Sequence, residues 1–122
     1  MILVGIDSVE INRIKKLSKN ARFFEKYYGK NELAQLKERN FPVQSVAANF
    51  CAKEAFLKVF GKGLYDIELS KIELLREKCG KPYLKLTNIE FLESYGKINF
   101  SVSVTHTKDV ATVIIIAEVL ED

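Results

Sequence analysis

The chain has 122 residues, of which 48% are hydrophobic and 29% charged, and we expect residues 1–122 to form a single globular domain with a sizeable core. The net charge of +3 hints at an anionic partner but falls short of the dense basic stripe of a nucleic-acid-binding protein. No apolar run approaches the ~18 residues of a membrane span, so neither nucleic acid nor a membrane is an expected partner.

The cysteines and the N-terminus indicate the compartment. Cys51 and Cys79 show neither metal-ligand spacing nor a dense disulfide pattern. The apolar N-terminal run has no preceding basic region and is interrupted by Asp7, unlike a signal peptide. We therefore expect a protein of the reducing cytoplasm, with both thiols as packing or turn residues.

The N-terminal segment predicts a strand followed by an amphipathic helix. Residues 2–6 are a nearly continuous apolar run, which predicts a buried strand ending at Asp7. Ile11, Ile14 and Leu17 follow at helical spacing. The other faces of this helix carry basic residues, namely Arg13, Lys15, Lys16 and Lys19. A solvated face is the simple interpretation of these charges, and a docking face for an acidic protein is the alternative.

A longer helix is predicted to begin at Pro42 and to end at Gly61. Its apolar stripe consists of Val43, Val46, Ala47, Phe50, Leu57 and Gly61. Glu54 lies in the middle of that stripe. Because a carboxylate is rarely buried without a partner, we expect a cationic group to meet Glu54, and Lys58 one turn later is the simplest candidate.

The second half of the chain changes to the period of two that is typical of strands. Ile72–Arg76 and Pro82–Leu86 flank turn residues and predict a β-hairpin. Residues 87–90 resemble a capping box that opens another helix. Ile98–His106 alternates apolar and polar residues, and Val110–Val119 is a long apolar strand. The predicted fold class is α+β, with an antiparallel set of strands.

Three polar residues occupy unusual positions. Asp7 follows a strand, Glu54 lies in an apolar stripe, and His106 closes a half-buried strand. Each has a structural explanation: a helix cap, an ion pair with Lys58, and a hydrogen-bonded rim residue. Taken together, two carboxylates from distant segments suit Mg²⁺ better than a transition metal, and Lys62 beside the glycine turn is a candidate phosphate contact. No P-loop, dinucleotide fingerprint or nucleophile elbow is present, so the residues alone leave the reaction open.

Three segments in their order resemble the signature blocks of one family. They are residues 5–14, residues 50–63 with Lys-Glu-Ala at 53–55, and residues 102–107. These blocks, together with the Gly-Lys-Pro-Tyr turn at 80–83, resemble the holo-[acyl-carrier-protein] synthases, the short bacterial 4′-phosphopantetheinyl transferases. The resemblance covers essentially the whole chain. It implies an antiparallel sheet packed with a central helix, and a trimer that binds coenzyme A between neighbouring protomers.

The resemblance also implies a reaction. This is the Mg²⁺-dependent transfer of 4′-phosphopantetheine from coenzyme A to a serine of acyl carrier protein, with release of adenosine 3′,5′-bisphosphate, in support of fatty acid biosynthesis. Asp7 and Glu54 match the metal ligands of the family, and Glu54 and Lys58 match its catalytic residues. Either Glu54 or a metal-bound water takes the serine proton. A non-catalytic trimeric module that binds acidic proteins through the basic helix, and a nucleotide hydrolase, are the alternatives.

The resemblance assigns substrate contacts as well. Four residues are expected to bind coenzyme A, namely Lys58, Lys62, His106 and Thr107. Arg13 is expected to meet acyl carrier protein. Two positions depart from the family pattern: Asn49 stands where many relatives carry an arginine, and Ser8 replaces a branched apolar residue. These departures leave one phosphate or protein contact, and the packing beside Asp7, as open questions.

Overall fold

The computed structural model describes residues 1–63 and 66–120. Along these residues the strands and α-helices follow in the order β1 (Ile2–Glu10), α1 (Ile11–Leu17), α2 (Ala21–Tyr27), α3 (Lys30–Glu38), α4 (Val43–Val59), β2 (Ile72–Arg76), β3 (Pro82–Leu86), β4 (Ile98–His106) and β5 (Val110–Val119). An antiparallel sheet has the strand order β1-β5-β4, and β2 pairs with β3. The helix α4 packs against the inner face of the larger sheet. The predicted α+β class, with an antiparallel sheet around a central helix, is confirmed.

Strand β1 is longer than its apolar run predicts. Every residue from Ile2 to Glu10 pairs with β5, and Asp7 lies opposite Val113 in the middle of the ladder. The residue that precedes the first turn of α1 is Glu10, without a side-chain cap. The prediction that the strand ends at Asp7 was wrong, and Asp7 does not cap the next helix. The pairing partner, which is distant in sequence, sets the length of the strand.

The two faces of β1 differ in a way that the continuous apolar run hides. Gly5 and Val9 are buried on the inner face. On the outer face, Ile2, Val4 and Ile6 are 68%, 57% and 54% exposed. The prediction of a fully buried strand was therefore wrong. Ile114 and Ile116 of β5 lie opposite Ile6 and Val4, so the five side chains form an apolar outer face, defined as Ile2, Val4, Ile6, Ile114 and Ile116.

Helix α4 is buried on almost all sides because it lies between the sheet on one side and α1, α3 and β2 on the other. It ends as predicted at Gly61, whose φ of 63° lies in the left-handed region. The backbone N–H of Lys62 donates to the carbonyl of Leu57, which is the bonding pattern of a Schellman motif. This end places the Lys62 turn directly after the helix that carries Glu54.

Strand β1 and helix α4 approach each other closely at Gly5. A Cβ atom at this position would lie 2.2 Å from the carbonyl oxygen of Ala55 and 2.7 Å from the backbone nitrogen of Val59. A side chain is excluded here because those atoms belong to the backbone and have no room to move aside. The contact fixes the distance between the middle of β1 and α4, and Asp7 projects from the same face of β1 two residues later.

The predicted β-hairpin is confirmed, with Leu74 opposite Leu84. The predicted capping box at 87–90 does not form. The backbone N–H of Thr87 donates to the carbonyl of Lys71 instead, and a 3₁₀ helix, Glu90–Tyr95, begins without a side-chain cap. Within the described residues, no helix is both long and apolar enough to cross a membrane.

Candidate active site

Lys58 of α4 reaches across to Asp7 of β1. Its Nζ atom lies 2.8 Å from Oδ1 of Asp7, and the exposed fractions of the two side chains are 57% and 12%. The ion pair between Glu54 and Lys58, which was the structural explanation for Glu54, does not form. Asp7 is available because β1 continues past it and presents its carboxylate to α4. The contact therefore joins two sequence-predicted site residues directly.

Glu54 lies half-buried beside this pair. Burial, followed by the nearby charge of Asp7, raises the pKa of Glu54, while Arg13 and Lys58 act in the opposite direction. The cationic groups that we expected near Glu54 are thus present as neighbours. Among the described residues, however, Glu54 makes no ion pair within 4.0 Å. Its negative charge is therefore less well neutralised than that of Asp7, which pairs with Lys58.

Cys51 lies underneath the carboxylates as a neutral packing group. Its Sγ atom donates to the backbone carbonyl of Asp7 at 3.1 Å. Burial, followed by the charge of Asp7, raises the pKa of the Cys51 thiol to about 12. The thiol is therefore protonated near neutral pH and supports the backbone at Asp7, in agreement with the packing role expected from its spacing.

The donor set fits a hard divalent cation. Burial and the charge of Asp7 together disfavour the ionised form of Glu54, and a cation between the two carboxylates would relieve both effects. In residues 1–63 and 66–120, no group of three or more histidine, cysteine, aspartate or glutamate side chains is arranged to hold a metal. Two carboxylates match the needs of Mg²⁺, which typically completes its shell with water and substrate phosphates.

The charge that is most deeply buried in α4 is Lys53, which the sequence pattern did not single out. Its side chain is 0% exposed, and its Nζ atom lies 2.5 Å from Oε1 of Glu32, which is also 0% exposed. One signal was available: apolar residues occupy nearly every side of this helix, so any charge within it has to meet a partner. The partner itself is 21 positions away, beyond the reach of local rules.

His106 and Thr107 lie at the turn between β4 and β5, not beside Lys58. His106 is exposed, with Nδ1 3.2 Å from the carbonyl oxygen of Thr107. The Thr107 hydroxyl accepts hydrogen bonds from the backbone N–H groups of Asp109 and Val110. In the sheet, His106 pairs with Ala111 whereas Asp7 pairs with Val113 on the opposite edge of β5. Strand β5 therefore separates His106 from the carboxylates.

A groove of about 550 Å³ opens beside His106. Its charged lining groups in the described residues are cations, with no carboxylate among them, namely Arg39, Arg76, Lys81 and, when protonated, His106. Nη1 of Arg76 donates to Oδ1 of Asn49 at 3.0 Å. Burial, followed by the charge of Arg39, lowers the pKa of Arg76. The positive charges of Arg39 and Arg76 repel each other, and a bound anion would relieve this repulsion. The groove is therefore suited to an anion.

Lys62 and Arg13 occupy the flanks of the site. Nζ of Lys62 lies 5.0 Å from the centre of the Phe91 ring and lines a separate groove of about 840 Å³. Arg13 is exposed on α1, and its charge reaches Glu54. The structure thus brings Asp7, Glu54, Lys58 and Arg13 to one place. Lys62 and His106 line two separate grooves, and Thr107 lies in the turn next to His106.

Comparison with known proteins places the chain in a family. Residues 3–115 match the family model of the 4′-phosphopantetheinyl transferase superfamily. The chain belongs to this superfamily. A holo-[acyl-carrier-protein] synthase of Treponema denticola is 38% identical over 122 residues, with 97% of this chain and 99% of that protein covered. Its counterpart in Clostridium tetani is 34% identical, with 89% and 90% covered.

Solved structures agree with this assignment. Holo-[acyl-carrier-protein] synthase from Neisseria meningitidis superposes with a TM-score of 0.86 at 29% identity, covering 97% of this chain and 99% of that chain. The ACPS–CoA complex of Chronobacterium ammoniagenes superposes with a TM-score of 0.84 at 25% identity, covering 99% of both chains. The family resemblance inferred from three short segments is confirmed over nearly the full length.

Proposed function

We propose that this chain transfers 4′-phosphopantetheine from coenzyme A to a serine of apo-acyl carrier protein. The serine oxygen forms a bond to the phosphorus that carries pantetheine, the pyrophosphate P–O bond breaks, and adenosine 3′,5′-bisphosphate leaves. The convergence of Asp7, Glu54 and Lys58 carries the proposal. Full-length relatives named holo-[acyl-carrier-protein] synthase support the choice of donor and acceptor.

Asp7 and Glu54 are the residues that would hold Mg²⁺. When bound there, the ion neutralises negative charge on the pyrophosphate and polarises the phosphorus for attack. Lys58, more than half exposed at the edge of the site, binds the phosphate oxygens on which charge develops. The serine proton goes to Glu54 or to a water beside it. Removal of this proton strengthens the oxygen nucleophile.

Coenzyme A carries two separate anionic groups, and the chain offers cations for both. Lys58 and Lys62 suit the pyrophosphate. His106, Thr107 and the cationic groove with Arg76 suit the remaining phosphomonoester on the ribose, because no carboxylate lines that groove in the described residues. The similar structure from Chronobacterium ammoniagenes is a complex with CoA, which supports the choice of ligand.

The basic face of α1 suits an acidic carrier protein. Arg13, Lys15 and Lys16 are exposed on this helix, with Lys19 just beyond it. The charge of Arg13 reaches Glu54, so a carrier docked on α1 would present its serine near the carboxylates. Charge complementarity of this kind mainly raises the rate of association and weakens as salt is added.

The apolar outer face supports assembly as a homotrimer with sites between protomers. Its five aliphatic side chains stand on one side of the sheet, three of them more than half exposed, and such a patch typically marks an interface. One domain over residues 1–122, a cytoplasmic location and a role in fatty acid biosynthesis complete the proposal.

The test is to incubate the chain with apo-acyl carrier protein, coenzyme A and Mg²⁺ and to follow the carrier by mass spectrometry. We expect the mass gain of one phosphopantetheine group on one serine, lost when Mg²⁺ is chelated. A carrier with that serine changed to alanine is the matched control. A well-folded preparation that leaves its own carrier unmodified would contradict the proposal.

The exposed basic helix supports a second candidate function, a non-catalytic module that binds acidic proteins. This alternative predicts salt-sensitive carrier binding that is the same for Glu54→Ala and the unchanged chain, with no transfer by either. Release of adenosine bisphosphate without a carrier would instead favour a nucleotide hydrolase. The same preparation distinguishes all three outcomes.

A further inference from the structure

Helix α4 is held on two opposite sides. On one side Gly5 of β1 lies against the backbone at Ala55 and Val59. On the other side Lys53 points away from β1 to Glu32 of α3. At about 100° per residue, Lys53 is roughly 160–200° around the helix from Ala55. Glu54 lies about 100° around the helix from both Lys53 and Ala55. It therefore stands between the two anchored faces, on the side of α4 that meets Asp7.

The ammonium group of Lys53 has an acceptor for each of its three protons. It donates to Oε1 of Glu32 at 2.5 Å, to the carbonyl of Leu69 at 3.1 Å and to the carbonyl of Ile72. The face of the Tyr28 ring lies 5.3 Å away. An ammonium group has three donors and no acceptor, so its hydrogen-bonding capacity is fully used. The three acceptors come from α3 and from both ends of the segment that leads into β2.

Glu32 is held just as tightly. Its Oε1 atom also accepts from the backbone N–H of Gly29 at 3.0 Å. Its Oε2 atom accepts from Nδ2 of Asn49 at 3.0 Å and from the backbone N–H of Leu74 at 3.1 Å. Each hydrogen-bond partner of this carboxylate is an N–H donor, which favours the ionised form. These donors oppose the burial that raises the pKa of Glu32. The pair is therefore an ionic junction between α3, α4 and β2.

We propose that Lys53 is a positioning residue: its bonds to Glu32, Leu69 and Ile72 fix the rotation and axial position of α4 so that Glu54 and Lys58 face Asp7. The apolar contacts around α4 are non-directional and by themselves allow the helix to rotate or slide slightly. Three directed hydrogen bonds to separate segments prevent both of these movements. The inference rests on the proposed function for its kinetic consequence, but its geometric content stands alone.

A buried ion pair often adds little stability relative to apolar groups of similar shape, whereas removal of one partner leaves an unpaired buried charge. This contrast separates positioning from simple stabilisation. The double variant Lys53→Met with Glu32→Gln removes both charges and keeps the volumes similar. We expect both the double variant and Lys53→Met alone to lower the unfolding midpoint, because the buried carbonyls of Leu69 and Ile72 lose their donor in each. Lys53→Met alone should lower it further, since it also leaves the charge of Glu32 unpaired.

Kinetics of the folded double variant form the first test. We expect kcat for carrier modification to fall about 10- to 100-fold, with a higher Mg²⁺ concentration at half-maximal rate and an unchanged KM for the carrier. Leu36→Ala is the matched control, since Leu36 is buried in the same helix as Glu32 and its truncation lowers stability without touching Lys53. This control should keep the kcat of the unchanged chain. A double variant with unchanged kcat and Mg²⁺ dependence overturns the proposal.

A crystal structure of the double variant, or of Glu32→Gln if the double variant does not fold, is the second test. We expect α4 to be displaced, with the contact of 2.8 Å between Lys58 Nζ and Asp7 Oδ1 lost. A superimposable α4 with that contact intact overturns the proposal. This readout needs no activity. If the unchanged chain modifies no carrier while the variant helix moves, the proposed function fails and the positioning role stands.

Discussion

Nζ of Lys58 lies 2.8 Å from Oδ1 of Asp7 and so joins α4 to the middle of β1 across 51 positions of sequence. The contact puts a cation and a carboxylate of the candidate site in one place, with Glu54 and Arg13 close enough for their charges to interact. The proposed reaction depends on this arrangement: carboxylates for a metal, and an exposed lysine for phosphate.

Lys58→Gln tests the role of the lysine in charge neutralisation. We expect kcat for carrier modification to fall about 10²- to 10³-fold, as when other electrostatic donors to a transition state are removed. The unfolding midpoint should change little because Lys58 is exposed. Lys58→Arg, which keeps the charge, is the matched variant and should retain more activity. Equal losses in both variants would show that charge at this position is not what matters.

Glu54→Gln tests the burial of that carboxylate through the pH dependence of stability without metal. Folding raises the pKa of Glu54 above its ordinary value of 4.5, so its favourable contribution is present below that value and is lost as pH rises through the raised pKa. We therefore expect Glu54→Gln to be more stable than the unchanged chain near neutral pH, and the two to converge in acid.

Chemical denaturation in the presence of a chelator at several pH values provides the measurement for Glu54→Gln. Glu38→Gln, on the exposed part of α3, is the control and should show no such trend. Transfer activity should collapse in Glu54→Gln although the protein is folded. Loss of the fold with unchanged activity per folded molecule would make Glu54 a structural residue and refute its place in the site.

The pattern of the sequence predicts those parts of the fold whose causes are local. The two-residue alternation of β4 and the glycine that ends α4 are examples, because each depends on side chains or φ angles within a few residues. The length of β1 depends instead on β5: the hydroxyls of Ser8 and Thr112 lie 2.7 Å apart although they are 104 positions apart in sequence. Ser8 is also exposed, so its departure from the family pattern falls outside the core.

The site shows the same division between local and distant causes. The approach of Asp7 to Glu54 followed from the family resemblance. The partner of Lys58 did not, because the local rule of one helical turn pointed to Glu54. The burial of Lys53 was missed since it depends on Glu32 and on the return of the chain at Ile72. Long-range packing decides both contacts.

Arg76→Gln tests the cationic groove. Burial and the charge of Arg39 lower the pKa of Arg76, so a bound anion should stabilise the charged guanidinium group. We expect the KM for coenzyme A to rise about 10-fold or more, on the scale of a lost hydrogen bond to a charged group. The KM for dephospho-coenzyme A, the analogue that lacks the ribose phosphate, should be unaffected. Lys37→Gln, exposed on α3, is the control. An equal rise in KM for coenzyme A and for the analogue would place the ribose phosphate outside this groove.

Ile6→Lys tests the apolar outer face. Ile6 is 54% exposed, so the substitution should leave the protomer folded, as judged by circular dichroism. A lysine in an apolar interface loses its hydration without gaining a partner. We therefore expect light scattering to show a trimer for the unchanged chain and a smaller species for Ile6→Lys. Lys97→Gln is a surface control. A trimer of the same size for Ile6→Lys as for the unchanged chain would contradict the proposed interface.

Anomalous diffraction from crystals grown with coenzyme A and Mn²⁺, as a substitute for Mg²⁺, most directly tests the claim that Asp7 and Glu54 form one metal site. We expect an anomalous peak within bonding distance of a carboxylate oxygen of each residue, with the pyrophosphate of coenzyme A on the same ion and Lys58 turned from Asp7 toward phosphate. Bound coenzyme A with no peak between Asp7 and Glu54, and with the contact from Lys58 to Asp7 still in place, would contradict it.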